Sequence, residues 1–111
     1  MKMSNYTWDY STYADILEIH KKNTQTKGST EIGDFTIDFD NNNELVGIAI
    51  EHASEFFKQL DITKTLLKEI QNAKILTDTR NPQCTLLFLA LTFPNNIKKK
   101  ISLPMPIAVS N

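Results

Sequence analysis

The segment Thr85-Leu86-Leu87-Phe88-Leu89-Ala90-Leu91-Thr92-Phe93 narrows the folds open to this chain more than any other. Successive side chains of a β-strand point to opposite faces. Here Leu87, Leu89, Leu91 and Phe93 fall on one face and Leu86, Phe88 and Ala90 on the other, and both sets are apolar. A strand apolar in both directions calls for cover on both sides. Two short helices can supply only one of these covers. Either the sheet curls over itself, or a second copy packs on Leu86, Phe88 and Ala90 in a two-fold dimer. The dimer is the favoured expectation, and these three residues are the interface candidates.

The rest of the pattern is built around that strand. Phe35, Ile37 and Phe39 alternate with Thr36, Asp38 and Asp40, as in a strand with one wet face. After Asn41-Asn42-Asn43 the alternation resumes with Val46, Ile48 and Ile50, so residues 37–50 read as a tight antiparallel hairpin. Trp8 to Tyr10 and Asp15 to His20 read as a first strand interrupted at Ser11 to Ala14, and the polar stretch Lys21 to Thr30 as a loop. Ser54 is placed to cap a short helix carrying Phe56, Phe57 and Leu60. Asp61 or Thr63 is placed to cap a second, with Ile62, Leu66, Leu67 and Ile70 at helical spacing. Lys74 to Thr79 and Ile97 to Met105 read as strands on either side of the two-faced one, with a turn at Arg80 to Gln83. Pro104 and Pro106, which lack amide donors, place the last strand at an edge.

Composition removes several function classes. The 111 residues are one domain by size, spanning the whole chain. Twelve basic and thirteen acidic side chains leave a net charge of −1, which argues against a nucleic-acid footprint. The one basic run, Lys98-Lys99-Lys100, has no interleaved aromatic residue to stack a base, and lysines at a hairpin tip keep an edge soluble. The single cysteine, Cys84, forms no internal disulfide and reads as a half-buried, inert thiol. Residues 1–6 lack a secretory apolar core, and the longest apolar run, Leu86 to Leu91, is far short of a membrane span. By elimination the expected setting is the cytoplasm.

Two stretches match more than a generic pattern. Tyr10-Ser11-Thr12-Tyr13-Ala14-Asp15-Ile16-Leu17-Glu18-Ile19 resembles a Y-D-x-x-A-D-x-L-Y-I opening. Ile37-Asp38-Phe39-Asp40 through Glu44-Leu45-Val46-Gly47-Ile48, then Ile50 and Ala53-Ser54, resembles a D-x-D-x-x-G-x-(I/V)-V-G-I-E-I-x-x-A-S hairpin. Together they are similar to a small prokaryotic domain-of-unknown-function family, DUF2283, over residues 6–55. Residues 56–111 resemble the helix and β-meander extension of its longer members. Four positions depart from the family pattern: Ser11 for Asp, Glu18 for Tyr, Asn43 for the turn Gly and Ala49 for Glu. Asn43 is the mildest, because asparagine tolerates a positive φ at a turn. Losing the Asp and the Glu weakens any family carboxylate site, so the resemblance implies a fold and no reaction.

Few constellations carry chemistry. Asp38-x-Asp40-x-Asn42 has the first three ligand positions of an EF-hand loop, but Asn43 and Ala49 stand where the glycine and bidentate glutamate belong. An Asx-stabilised turn is the expectation, with no metal and no cofactor. Glu18 and His20 share one side of the first strand, and Thr36 and Asp38 one side of the second. A carboxylate–imidazole group of Glu18, His20 and Asp38 is the candidate catalytic or ligand-binding set, weighed against an ordinary solvated sheet face. His52 reads as a capping or core-edge histidine. Three glycines cannot build a phosphate-cradling loop.

The expected architecture is therefore α+β: an antiparallel sheet of five or six strands, with two short helices after the third packed on one face (β-β-β-α-α-β-β-β). The expected function is non-enzymatic association, with a second copy or another protein. The alternative is an enzyme or ligand-binding protein using Glu18, His20 and Asp38.

Overall fold

The computed structural model describes residues 5–81 and 83–108, with the side chains of the last strand through Leu103; Pro82 of the expected turn and the extreme termini lie outside them. The chain runs β1 (Tyr6–Ser11), β2 (Ile16–Lys21), β3 (Gly28–Ile32), β4 (Phe35–Phe39) and β5 (Leu45–Glu51). Helices α1 (Ala53–Lys58) and α2 (Lys64–Lys68) follow, then β6 (Asn72–Asp78), β7 (Cys84–Phe93) and β8 (Ile97–Ala108). All pairings are antiparallel, in a five-stranded sheet ordered β1-β2-β5-β4-β3 and a three-stranded sheet ordered β6-β7-β8.

The inner rows of the large sheet follow from residue parity. Trp8, Ile19, Ile48 and Ile37 stand side by side across four strands, as do Tyr10, Leu17, Ile50 and Phe35. From the small sheet Leu87, Leu89, Leu91 and Phe93 of β7, with Ala73, Ile75, Ile101 and Leu103, complete the same core. Each fully buried leucine or isoleucine contributes about 1.5–3 kcal/mol relative to exposure, so this two-layer contact dominates stability. Two side chains stitch the layers: the Trp8 indole N–H donates to the Ile70 carbonyl at 3.1 Å and the Tyr6 hydroxyl to the Ile75 carbonyl at 3.2 Å.

The helices are too short to persist alone. They are held by Ala53, Phe57, Ile62 and Leu67, all buried in the core, and by Phe56 set edge-on against Phe35 at 5.4 Å. Thr63 caps α2 as expected, its hydroxyl accepting the Leu66 N–H at 3.2 Å. The α1 start differs. His52 is the N-cap in the left-handed region (φ 52°) and gives no side-chain cap, while Ser54 turns to Asp15.

The α+β class and the two-helix insertion between strand regions stand as the sequence implies. Among the described residues the strands number eight and divide into two sheets. The interruption at Ser11 to Ala14 is a full reversal: Asp15 sits at φ 57° and donates its N–H to the Ser11 carbonyl at 2.7 Å, so β1 folds back on β2. The expected loop gives way at Gly28 to β3, whose five residues are all exposed and so carry no alternation to read. The helices consequently follow β5.

Candidate functional surfaces

The outward face of the small sheet is built in rows. Lys74, Ala90 and Lys100 form one, Leu76, Phe88 and Ser102 the next, and Asp78 and Leu86 pair beyond them. Leu86 is 41% exposed and Leu76 36%, and Phe88 and Ala90 are half-buried. The inner cover expected for β7 is present; the outer one is not supplied by any described segment of the chain. Lys100 places its ammonium 4.7 Å from the Phe88 ring centroid, shielding part of that ring. That contact escaped the linear reading, because Phe88 meets the lysine run only across strands. Asp78 is gripped by Arg80, whose guanidinium hydrogen bonds hold its carboxyl at about 2.

The outer face of the large sheet brings the other candidates close together. Thr7, His20, Gly47, Asp38 and Ser29 form one row across five strands, and Asp9, Glu18, Ala49, Thr36 and Glu31 the next. The central strand therefore offers only small residues between Glu18/His20 and Thr36/Asp38. His20 and Asp38 lean over Gly47: a Cβ there would stand 2.5 Å from His20 Cδ2 and 2.9 Å from Asp38 Oδ2. Their polar atoms are spoken for elsewhere. His20 Nδ1 lies 3.0 Å from the Lys21 carbonyl, to which it donates, and Nε2 3.0 Å from the Thr26 hydroxyl. Asp38 accepts the Ser29 hydroxyl at 2.7 Å. An imidazole with both nitrogens engaged is a poor proton shuttle. The arrangement reads as a packed surface row.

The Asp/Asn turn is an Asx turn. Asp40 Oδ1 accepts the amides of Asn42 (2.8 Å) and Glu44 (3.0 Å), and Asn43 takes φ 59°. One oxygen is thereby committed to holding the hairpin.

Several motif residues meet at Asp15. Its carboxylate accepts the Tyr10 hydroxyl at 2.6 Å, the Ser54 amide at 2.9 Å and the Ser54 hydroxyl at 2.6 Å, tying the β1–β2 turn to the start of α1. Burial raises the Asp15 pKa, but the Ser54 and Tyr10 hydrogen bonds outweigh it and leave the carboxyl below its usual value. Burial and the bond to Asp15 push the Tyr10 phenol up to about 12. Tyr10, Asp15 and Ser54 were visible as motif letters, but their meeting was not, since 39 positions separate Asp15 from Ser54. Ser54 also borders a shallow depression of about 500 Å³ shared with Lys58, Thr63 and Lys64.

One further group was not singled out in the sequence. Asp34, in the β3–β4 turn, Glu51, at the end of β5, and His52 bring three possible donor atoms within 4.8 Å of one another, all exposed. The Asp34 hydrogen bond and charge raise the His52 pKa above its usual value. His52 is thus solvent-facing at a helix start, rather than at the core edge. Among the described residues no helix is long and apolar enough to cross a membrane.

Residues 8–54 match the family model described as protein of unknown function (DUF2283), a span from β1 through the Ser54 tie. An uncharacterised protein of Methanocaldococcus jannaschii is 36% identical over 72 residues, covering 63% of this chain and 62% of that protein. The match thus spans less than two thirds of that relative. No solved structure matches the chain significantly. Over the residues of its five-stranded sheet, the chain is similar to the DUF2283 family.

Proposed function

We propose that this chain is a non-enzymatic association protein of the cytoplasm whose three-stranded sheet packs face to face on that of a second copy. The observation that carries this reading is the apolar surface of exposed Leu76 and Leu86 with half-buried Phe88 and Ala90, which no described segment of the chain covers. A two-fold axis in the interface plane and across the strands stacks β7 on β7 in opposite directions. It lays these apolar rows on one another and sets the Lys98/Lys100 end of one copy over the Asp78 end of the other, where parallel stacking would oppose lysines. The seven residues of β6 beside ten-residue spans of β7 and β8 give a face of about 430 Å², at about 3.3 Å per residue and about 4.8 Å between strands. That is below the ~800 Å² per partner of standard stable interfaces, so the dimer forms in the micromolar range. The engaged ring nitrogens of His20 favour this reading over an enzyme using Glu18, His20 and Asp38. The half-buried free thiol of Cys84 suits a reducing compartment.

Leu86→Asp, at a position already partly wet, tests the surface by size-exclusion chromatography with light scattering. The mutant is expected to elute as a folded monomer where the wild type is dimeric, while Thr7→Asp on the opposite sheet leaves the mass unchanged. Equal masses for wild type and Leu86→Asp would discard this face.

A further inference from the structure

The group at the β5–α1 junction has a use that neither the association surface nor the family match supplies. The geometry points to a divalent transition-metal site formed by the Asp34 carboxylate, the Glu51 carboxylate and His52 Nδ1. His52 Nδ1 stands 3.2 Å from Asp34 Oδ1. Two ligands bound to one ion at about 2.0–2.2 Å lie about 3.0 Å apart at octahedral angles and about 3.5 Å at tetrahedral ones. This pair already has the separation of one edge of a coordination polyhedron. Glu51 completes the face, with all three donors inside 4.8 Å and a flexible side chain to close the remaining gap.

The positions of these donors are set by backbone. The Glu51 N–H donates to the Asp34 carbonyl at 2.8 Å, locking the β3–β4 turn to the end of β5. His52 follows at φ 52°, which turns its ring back towards Asp34. The three donors thus come from a turn, a strand end and a helix N-cap, and are brought together by the fold instead of by a local run of acids. One imidazole nitrogen with two carboxylate oxygens suits Zn²⁺, Mn²⁺, Co²⁺ or Ni²⁺ better than Ca²⁺ or Mg²⁺, which prefer oxygen alone. Once a metal displaces the His52 Nδ1 proton, the two carboxylates beside the imidazole leave two negative charges, which a divalent ion neutralises. Three protein ligands leave the remaining positions to water.

The test uses the full chain, isotopically labelled, titrated with MnCl₂ alone and observed by amide NMR. Substoichiometric Mn²⁺ is expected to broaden Asp34, Glu51 and His52 first, and an equivalent of ZnCl₂ to reverse it. His52→Gly keeps the left-handed backbone open while removing the imidazole. Losing even an outer-shell partner weakens metal sites about tenfold, so His52→Gly should raise the Mn²⁺ concentration needed by at least about tenfold. Glu51→Gln should act in the same direction without touching the cap. Broadening distributed evenly over Asp9, Glu18 and Asp40, or a response unchanged in both variants, overturns the site.

Discussion

Gly47→Ala is the most informative small change in the large sheet. The added methyl would sit 2.5 Å from His20 Cδ2 and 2.9 Å from Asp38 Oδ2, well inside contact distance. The histidine cannot swing away freely, because its ring nitrogens are held by the Lys21 carbonyl and the Thr26 hydroxyl. Overpacking of this kind costs about 1–3 kcal/mol. Alanine returns about 0.5–1 kcal/mol through its smaller loss of backbone freedom in a strand. The net expectation is a destabilisation of about 1–2 kcal/mol in urea unfolding, with an unchanged m value. His20→Ala should cost little alone and should relieve most of the Gly47→Ala penalty, giving a coupling of about 1 kcal/mol in the double-mutant cycle. Gly47→Ala as stable as the wild type, or fully additive with His20→Ala, would refute the close packing of this row. The same experiment bears on the enzyme alternative, since it measures how firmly His20 is held.

Asp40→Ala removes the acceptor for two turn amides and should lower stability by about 1 kcal/mol in the same unfolding assay, since a capping-type carboxylate is being lost. Asn43→Gly should raise stability by about 0.5 kcal/mol, because glycine meets no Cβ penalty at φ 59°. For Tyr10 the fold favours the neutral phenol, raising its pKa from 10.0 to about 12. The native state therefore holds that proton more tightly than the unfolded chain. Its contribution is complete below pH 10.0 and is lost as pH rises towards about 12, which absorbance titration of the phenol checks against Tyr10→Phe. Asp15 runs the other way: its lowered pKa gives a contribution present above 3.8 and lost as acidification passes through the folded value, measurable by NMR titration.

What the sequence disclosed was what local physics writes into it. The two-faced pattern of β7 located its buried row, Leu87 to Phe93, because burial of a strand leaves a period of two. The Asp/Asn turn and the Thr63 cap were legible because both depend on a side chain bonding amides a few residues away. β3 was illegible: Gly28–Ile32 buries nothing and so has no hydrophobic rhythm. The division into two sheets was hidden as well, since β2 pairs with β5 across a long stretch of chain and no local rule encodes that choice. The candidate sites show the same split. Glu18, His20 and Asp38 were correctly placed on a wet face, yet what occupies His20 comes from Thr26 in a loop without pattern. His52 was read only as a capping or core-edge residue, and its grouping with Asp34 and Glu51 gave no signal, because a turn residue and a strand end meet only once β4 has paired with β5.

Sedimentation equilibrium across a micromolar concentration series, at moderate salt, measures the central claim most directly. The bare Leu86/Phe88 face predicts a monomer–dimer equilibrium with a dissociation constant in the micromolar range, abolished by Leu86→Asp. A wild-type chain that stays monomeric up to several hundred micromolar, or a Leu86→Asp chain that still dimerises, would contradict it.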